Sequence, residues 1–266
     1  MSVTDHPLPH GRGSSDLTGQ TAMVTGASRG IGEAIAGVLM REGADVFICG
    51  RKAETIEATA VRLNALGHRG KAFGVVAHVG KAADLSELVS RAQSHNGRLD
   101  ILVNNAATNI AQGPCLDFNE TQFDKMVETN VKSAWRLTQA IGPVMVKQGS
   151  GAIINIASVA GLRPQPSSLL YSMTKAALIM MTQSYALELG PSGVRVNAIA
   201  PGLIQTQLSE YYWKDEARRE GFLGNQPLRH LGQPSEIAEV ALMLASGRSS
   251  YLTGQTIVVD GGYLLT

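Results

Sequence analysis

Short apolar runs alternate along the chain with longer stretches in which apolar residues recur at helical spacing. The runs at 21–25, 44–49, 71–76, 101–104, 152–157, 195–200 and 256–259 are rich in Val, Ile and Ala and nearly free of polar residues. Such continuity predicts strands covered on both faces, as in a parallel sheet. Helices are predicted at 30–42, 53–66, 83–94, 121–147, 170–189 and 234–244. The alternation predicts one α/β domain, a doubly wound, mostly parallel sheet of seven strands with helices on both faces. Ligands would then bind at the carboxyl ends of the strands. The stretch at 203–233 interrupts the alternation, is too long for a plain connection, and is expected to be a lid. Residues 1–16, rich in Pro, His, Gly and Ser, are expected to be a flexible tail ahead of a catalytic domain at 17–266.

Composition narrows the function. Lys and Arg number 23 against 22 Asp and Glu, a net charge of +1. A nucleic-acid binder held by phosphate contacts would carry a basic surplus, so no such partner is expected. The two cysteines, Cys49 and Cys115, have no disulfide-framework or metal-ligand spacing, and the histidines are scattered, so no metal is expected. Cys49 reads as a small buried hydrophobe. No apolar stretch is long enough for a membrane span, and no signal core opens the chain. A reducing, cytoplasmic setting is the expectation.

The first strand runs into Thr25-Gly26-Ala27-Ser28-Arg29-Gly30-Ile31-Gly32, which opens the first long helix. Glycines in that context suit a dinucleotide. Gly26 permits the tight turn, Gly30 admits pyrophosphate, and Gly32 lets helix and strand pack closely. The helix N-terminus adds unpaired N–H groups and a positive dipole end. At the end of the second strand, where NAD sites place a carboxylate, stands Gly50-Arg51-Lys52. Arg51 would pair with a 2′-phosphate, and Arg29 could approach it, so NADP(H) is the expected cofactor.

Tyr171 and Lys175 stand four residues apart, on one helix face. A tyrosine has a reference pKa of about 10, and a nearby ammonium would lower it. Tyr171 so tuned could move a proton in carbonyl–alcohol interconversion. Ser158 ends the fifth strand run, where its hydroxyl could meet a substrate oxygen. Asn130 lies in a helical stretch that must cross the sheet, as a helix-kinking or water-holding group.

These residues, with Asn104-Asn105-Ala106-Ala107 and Pro201-Gly202-Leu203-Ile204-Gln205-Thr206, occur in an order and spacing that resembles the short-chain dehydrogenase/reductase family in its compact form. The blocks Gly50-Arg51-Lys52, His78-Val79-Gly80-Lys81 and 229–234 are similar to NADPH-dependent carbonyl reductases of the peroxisomal retinal-reductase type and their bacterial relatives. The chain ends without a Ser-Lys-Leu-like peroxisomal signal. The resemblance implies a Rossmann-type fold and a catalytic tetrad. Tyr171 is the acid, Lys175 tunes it and holds the nicotinamide ribose, Ser158 orients the carbonyl, and Asn130 links Lys175 to a water chain. It further implies cofactor contacts from Gly26, Ser28, Arg29, Gly30, Ile31, Gly32, Arg51, Lys52, His78, Val79, Asn104, Ala106, Pro201, Gly202, Ile204 and Thr206. His78 replaces the family's usual acid at the third strand's end, and Ala107 replaces a glycine. A homotetramer is implied as well.

The reaction read from this is reduction of a ketone or aldehyde with NADPH. Alternatives are a 3-oxoacyl-thioester (acyl-carrier-protein) reductase, an NAD-dependent alcohol, polyol or steroid dehydrogenase, and a non-catalytic NADP-binding regulator. Tyr211-Tyr212-Trp213 in the lid should turn at least one ring inward, with Trp213 expected against bulky ketones. Thr108, Ile110, Leu162 and Leu203 are the other expected walls, and Arg163 reads as a solvated charge. The substrate is therefore expected to be apolar or aryl rather than a small charged oxo-acid.

Overall fold

The computed structural model describes residues 13–266. Its strands are β1 (Thr21–Thr25), β2 (Asp45–Gly50), β3 (Ala72–Val76), β4 (Ile101–Asn104), β5 (Gly151–Ile156), β6 (Val194–Pro201) and β7 (Thr256–Val259). Every pairing is parallel. The order is β3-β2-β1-β4-β5-β6-β7, so the chain winds outward from β1, returns, and winds the other way from β4. The crevice at that reversal is where an open α/β sheet binds ligands.

The helices are α1 (Gly30–Arg41), α2 (Ala53–Ala65), α3 (Ala82–Asn96), α4 (Glu120–Val127), α5 (Ser133–Gln148), α6 (Leu169–Leu189), α7 (Glu210–Trp213), α8 (Glu216–Leu223) and α9 (Pro234–Ala245). Period-two alternation along the strands makes two cores. Ala22 and Val24 of β1 join α1, α2 and α9 on one face. Met23, between them, joins α3, α5 and α6 on the other. This double burial explains the unbroken apolar runs.

Predicted strands and helices agree with the observed ones to within a residue or two, with one exception. The expected single helix at 121–147 is interrupted by a π turn, Glu128–Lys132, which carries the buried Asn130. The lid region contains α7 and α8. Of the expected tail, 1–12 lie outside the described residues. The remainder is tied to the body: Ser15 Oγ donates to Glu42 at 3.1 Å, and Asp16 pairs with Arg69 at 3.3 Å.

Candidate active site

The glycine turn is held from beneath by the end of β4. Thr25 Oγ1 accepts from the backbone N–H groups of Asn105 and Ala106, both at 3.0 Å. Asn105 Nδ2 donates back to the carbonyls of Thr25, at 2.8 Å, and Gly26, at 3.1 Å. Gly26 has φ +62°, and a Cβ there would come within 2.8 Å of Ala106 Cα. A Cβ on Gly32 would meet Asn105 Nδ2 at 2.5 Å and the Gly26 carbonyl at 2.7 Å. Gly30, at φ +60°, has only Thr206 within reach, at 3.4 Å, so its open side faces the groove. A side chain at any of the three would strain or fill the cradle.

That groove has a volume of about 750 Å³, well sized for a large cofactor. Gly26, Ser28, Arg29, Gly30, Ile31, Arg51, His78, Val79, Ala106 and Thr206 all line it. No carboxylate stands at the end of β2, and Arg29 and Arg51 are exposed at the rim. The groove's acid, Glu128, is engaged by Arg136 and by Lys132 at 3.4 Å. Those partners hold its carboxyl below the usual range. The His78 ring accepts the Gly80 N–H on Nδ1 at 3.0 Å, which leaves Nε2 as its N–H.

Beside the groove lies a cavity of about 140 Å³ that contains Ser158, Tyr171 and Lys175. Lys175 is fully buried, and its Nζ donates to the Ile156 carbonyl at 2.7 Å. It sits 5.5 Å from the centre of the Tyr171 ring. Burial pushes the Lys175 ammonium down to about 7. Burial also pushes the Tyr171 phenol up to about 12; the Ser158 hydroxyl pulls it back, and the nearby Tyr212 phenol pushes it further up. The expected lowering of Tyr171 by Lys175 is therefore not what this structure holds. Desolvation disfavours both charged forms, so near neutral pH the lysine carries only part of the charge that would stabilise a phenolate.

Asn130 does not touch Lys175 with its side chain. Its Oδ1 accepts from Thr108 N at 2.8 Å, and its Nδ2 donates to Thr108 O at 2.9 Å and Thr174 Oγ1 at 3.0 Å. The π turn supplies the extra backbone room that turns this amide inward, a common use of such turns at functional sites.

Apolar walls of the cavity include Ile156, Val159, Leu203, Ile204 and Phe222; Pro201 and Gly202 also line it. Tyr212 of α7 lines it as well, its hydroxyl 2.8 Å from the buried Ser168 Oγ at the start of α6.

Several expected positions differ. Asn104 lines neither space: its Nδ2 donates across the sheet to Asn155 Oδ1 at 2.8 Å, and Asn155 Nδ2 donates to Thr182 Oγ1 at 2.8 Å. Lys52 is exposed at the start of α2, away from the groove wall. Trp213 lines the cofactor groove, not the substrate cavity, because its indole N–H donates to Thr206 O at 2.8 Å. Thr108 also lies on the groove side, and Ile110 and Leu162 are half exposed. Arg163 is not a free loop charge; it donates to the carbonyls of Tyr263 and Thr266. Asn105, Gln165, Ser168 and Phe222 are not among the expected site residues, and of the three lid aromatics it is Tyr212 that lines the cavity. Only the adjacent aromatics of the lid and the Asn-Asn-Ala-Ala block offered a signal for any of them.

Among the described residues, no cluster of His, Cys, Asp and Glu could hold a metal ion, and no helix is long and apolar enough to cross a membrane.

Residues 26–264 match the family model described as enoyl-(acyl carrier protein) reductase. The chain is 40% identical over 248 residues to dehydrogenase/reductase SDR family member 4 of Bos taurus, covering 93% of this chain and 88% of that one. It superposes at a TM-score of 0.88 and 36% identity on a putative short-chain alcohol dehydrogenase from Sinorhizobium meliloti, covering 95% and 99% of the two chains. A gluconate 5-dehydrogenase from Burkholderia cenocepacia, in complex with NADP and tartrate, gives 0.90 at 30% identity, over 96% and 98%.

Proposed function

This chain belongs to the short-chain dehydrogenase/reductase family, and from that premise we propose that it reduces a ketone or aldehyde to an alcohol with NADPH. The carrying observation is the convergence of Tyr171, Ser158 and Lys175 on one mostly apolar cavity beside the glycine-lined groove. NADPH, when bound, supplies the hydride. Gly26, Ser28, Arg29, Gly30 and Ile31 would hold its pyrophosphate, and Arg51 with Arg29 its 2′-phosphate. Val79 and His78 would face the adenine, and Pro201, Gly202, Ile204 and Thr206 the carboxamide side.

The chain's own residues do the rest. Tyr171 gives its phenolic proton to the substrate oxygen; a phenol held protonated by burial suits an acid. Ser158 donates a hydrogen bond to the same oxygen and fixes its position. Lys175 holds the ribose side, and Asn130 keeps the surrounding backbone in place for proton resupply. Val159, Leu203 and Phe222 exclude water from the reacting carbonyl.

The substrate reading follows from the walls. Among the described residues lining the cavity, Lys175 is the one basic side chain, and it is engaged with Ile156 O. An uncharged, apolar or aryl ketone fits such walls better than a small oxo-acid. A carrier-protein partner is less well supported, because three of the lid's four Lys and Arg residues are already engaged, which leaves Arg229 exposed. Lys214 pairs with Glu210, Arg219 with Glu216 and Glu220, and Arg218 stacks on Tyr211. The half-exposed Trp135 of α5 and Met173, Met180 and Leu187 of α6 support assembly as a homotetramer through these helices.

Purified protein tested with NADPH and NADH against aryl ketones and small oxo-acids decides the reading. NADPH should be preferred, and Arg51→Ala should weaken NADPH binding by about tenfold to a hundredfold, the range of a charged hydrogen bond. Equal use of both cofactors by the parent protein would overturn the cofactor assignment. Oxo-acids as best substrates would overturn the substrate class.

A further inference from the structure

Residues near the end of the chain hold together two walls of the substrate cavity that come from distant parts of the sequence. Tyr263 stacks on Phe222 of α8, ring centres 4.2 Å apart and planes 11° apart. Its hydroxyl donates to Gln165 Oε1 at 3.0 Å. Both Phe222 and Gln165 line the cavity, whereas Tyr263 does not. Arg163 lies over the same Tyr263 ring, 4.4 Å from its centre, and donates to the Tyr263 carbonyl at 3.1 Å. The Gln165 amide is fixed at its other end too, where Nε2 donates to Arg163 O at 3.2 Å.

The support beneath is as definite. Asp260 accepts the N–H groups of Gly262 and Leu264, both at 2.8 Å, so the short turn carrying Tyr263 is set by its own preceding loop. Gly261 and Gly262, at φ +66° and +88°, allow it to pass tightly against Gln226 and Pro227. Thr266 Oγ1 donates to Asn225 O at 2.6 Å, a second tie to the end of the lid.

We propose that Tyr263 is a positioning residue for the substrate: it clamps Phe222 of the lid to Gln165 of the loop before α6, and so sets which ketone the cavity admits. The clamp rests on the ketone-reductase reading for its chemistry, but not for its mechanics. Tyr263 lines neither the cavity of the proton donor nor the cofactor groove. Its influence should therefore fall on substrate affinity and not on the proton-transfer step.

Tyr263→Phe keeps the stack and removes only the hydroxyl, and Tyr263→Ala removes both. With acetophenone and the bulkier benzophenone as probes, Tyr263→Phe should raise KM by about two- to tenfold, the range of one neutral hydrogen bond, with kcat little changed. Tyr263→Ala should free the Phe222 wall and shift the kcat/KM ratio toward benzophenone by about tenfold, comparable to one methylene of pocket space. Amide exchange on the protein without ligands is the independent arm: Tyr263→Ala should speed exchange in 163–168 and in α8 together, and Tyr263→Phe in 163–168 alone. Unchanged exchange in both segments, or a fall in kcat at constant KM, overturns the clamp. Wild-type protein that reduces neither ketone overturns the reductase reading instead, and the exchange arm still decides the clamp.

Discussion

The cofactor side and the substrate side of this crevice are built from different materials. The cofactor side is mostly backbone: a glycine turn between β1 and α1, clamped by Thr25 and Asn105 at the end of β4. Its geometry depends on which residues lack a Cβ. The substrate side is mostly side chain: Tyr212 on Ser168, Tyr263 on Gln165 and on Phe222, pairs far apart in sequence. A backbone cradle accepts one kind of ligand and tolerates few changes. A wall of paired side chains can be refitted residue by residue while the cradle and proton donor stay fixed. One cofactor chemistry can thereby serve many substrates.

The largest effect should come at the seam between the two sides. Tyr171→Phe keeps the ring's packing and removes the proton donor, so kcat should fall by about a hundredfold or more. Binding of NADPH, followed by fluorescence, should stay near wild type. Near-normal turnover would separate Tyr171 from the chemistry and leave the seam without an acid.

Next in size is a pH effect on the fold itself. Without cofactor, Lys175 is pushed down to about 7 and Tyr171 up to about 12, both by burial. An unfolded lysine keeps its proton to about pH 10.4, so between there and pH 7 the unfolded chain holds the extra proton and stability rises with pH. From about pH 10 upward the tyrosine reverses the trend, because the unfolded chain loses its phenolic proton first. Lys175→Met should therefore raise the melting temperature at pH 6–7 by several degrees and flatten the rise toward pH 10, while abolishing turnover. An unaltered pH profile would mean that Lys175 is not desolvated.

The finest test exchanges neighbours. Trp213 faces the cofactor groove and Tyr212 the substrate cavity. Trp213→Phe should weaken NADPH binding a few-fold through the lost bond to Thr206. Tyr212→Phe should raise KM for ketones by a similar factor and spare NADPH binding. Reversal of that pattern would erase the boundary between the two sides.

The same division governs what could be read from the sequence. The seven strands, the helices on both faces and the glycine turn follow from local runs and short spacings, so these and the roles of Gly26 and Gly32 as turn and packing positions were legible, whereas the strand order belongs to the assembled sheet. The spacing of Tyr171 and Lys175 predicted a shared face, but not that both would be desolvated; burial is a property of the assembled core. Helical periodicity could not show the π turn, because one added residue mimics ordinary drift in an apolar pattern. Arg163 looked solvated because its partners, Tyr263 and Thr266, lie a hundred residues away. Tyr212 and Trp213 were both visible as lid aromatics, but which turned inward depended on hydrogen bonds to Ser168 and Thr206.

The π turn at Glu128–Lys132 also acts as a phase shifter. Each residue added to a helix advances the following face by about 100°, so the single extra residue here lets α4 and α5 keep separate orientations while remaining one continuous rod. Met126 before it and Leu137, Ile141 and Met145 after it are all buried, in two different apolar clusters. The rod thus has a built-in slack of one residue. A chain shorter by one at this point could close into a regular helix and keep either of those faces inward. What it would give up is the inward amide of Asn130, and with it the side chain that joins Thr108 on one side of the crevice to Thr174 on α6, the helix of Tyr171.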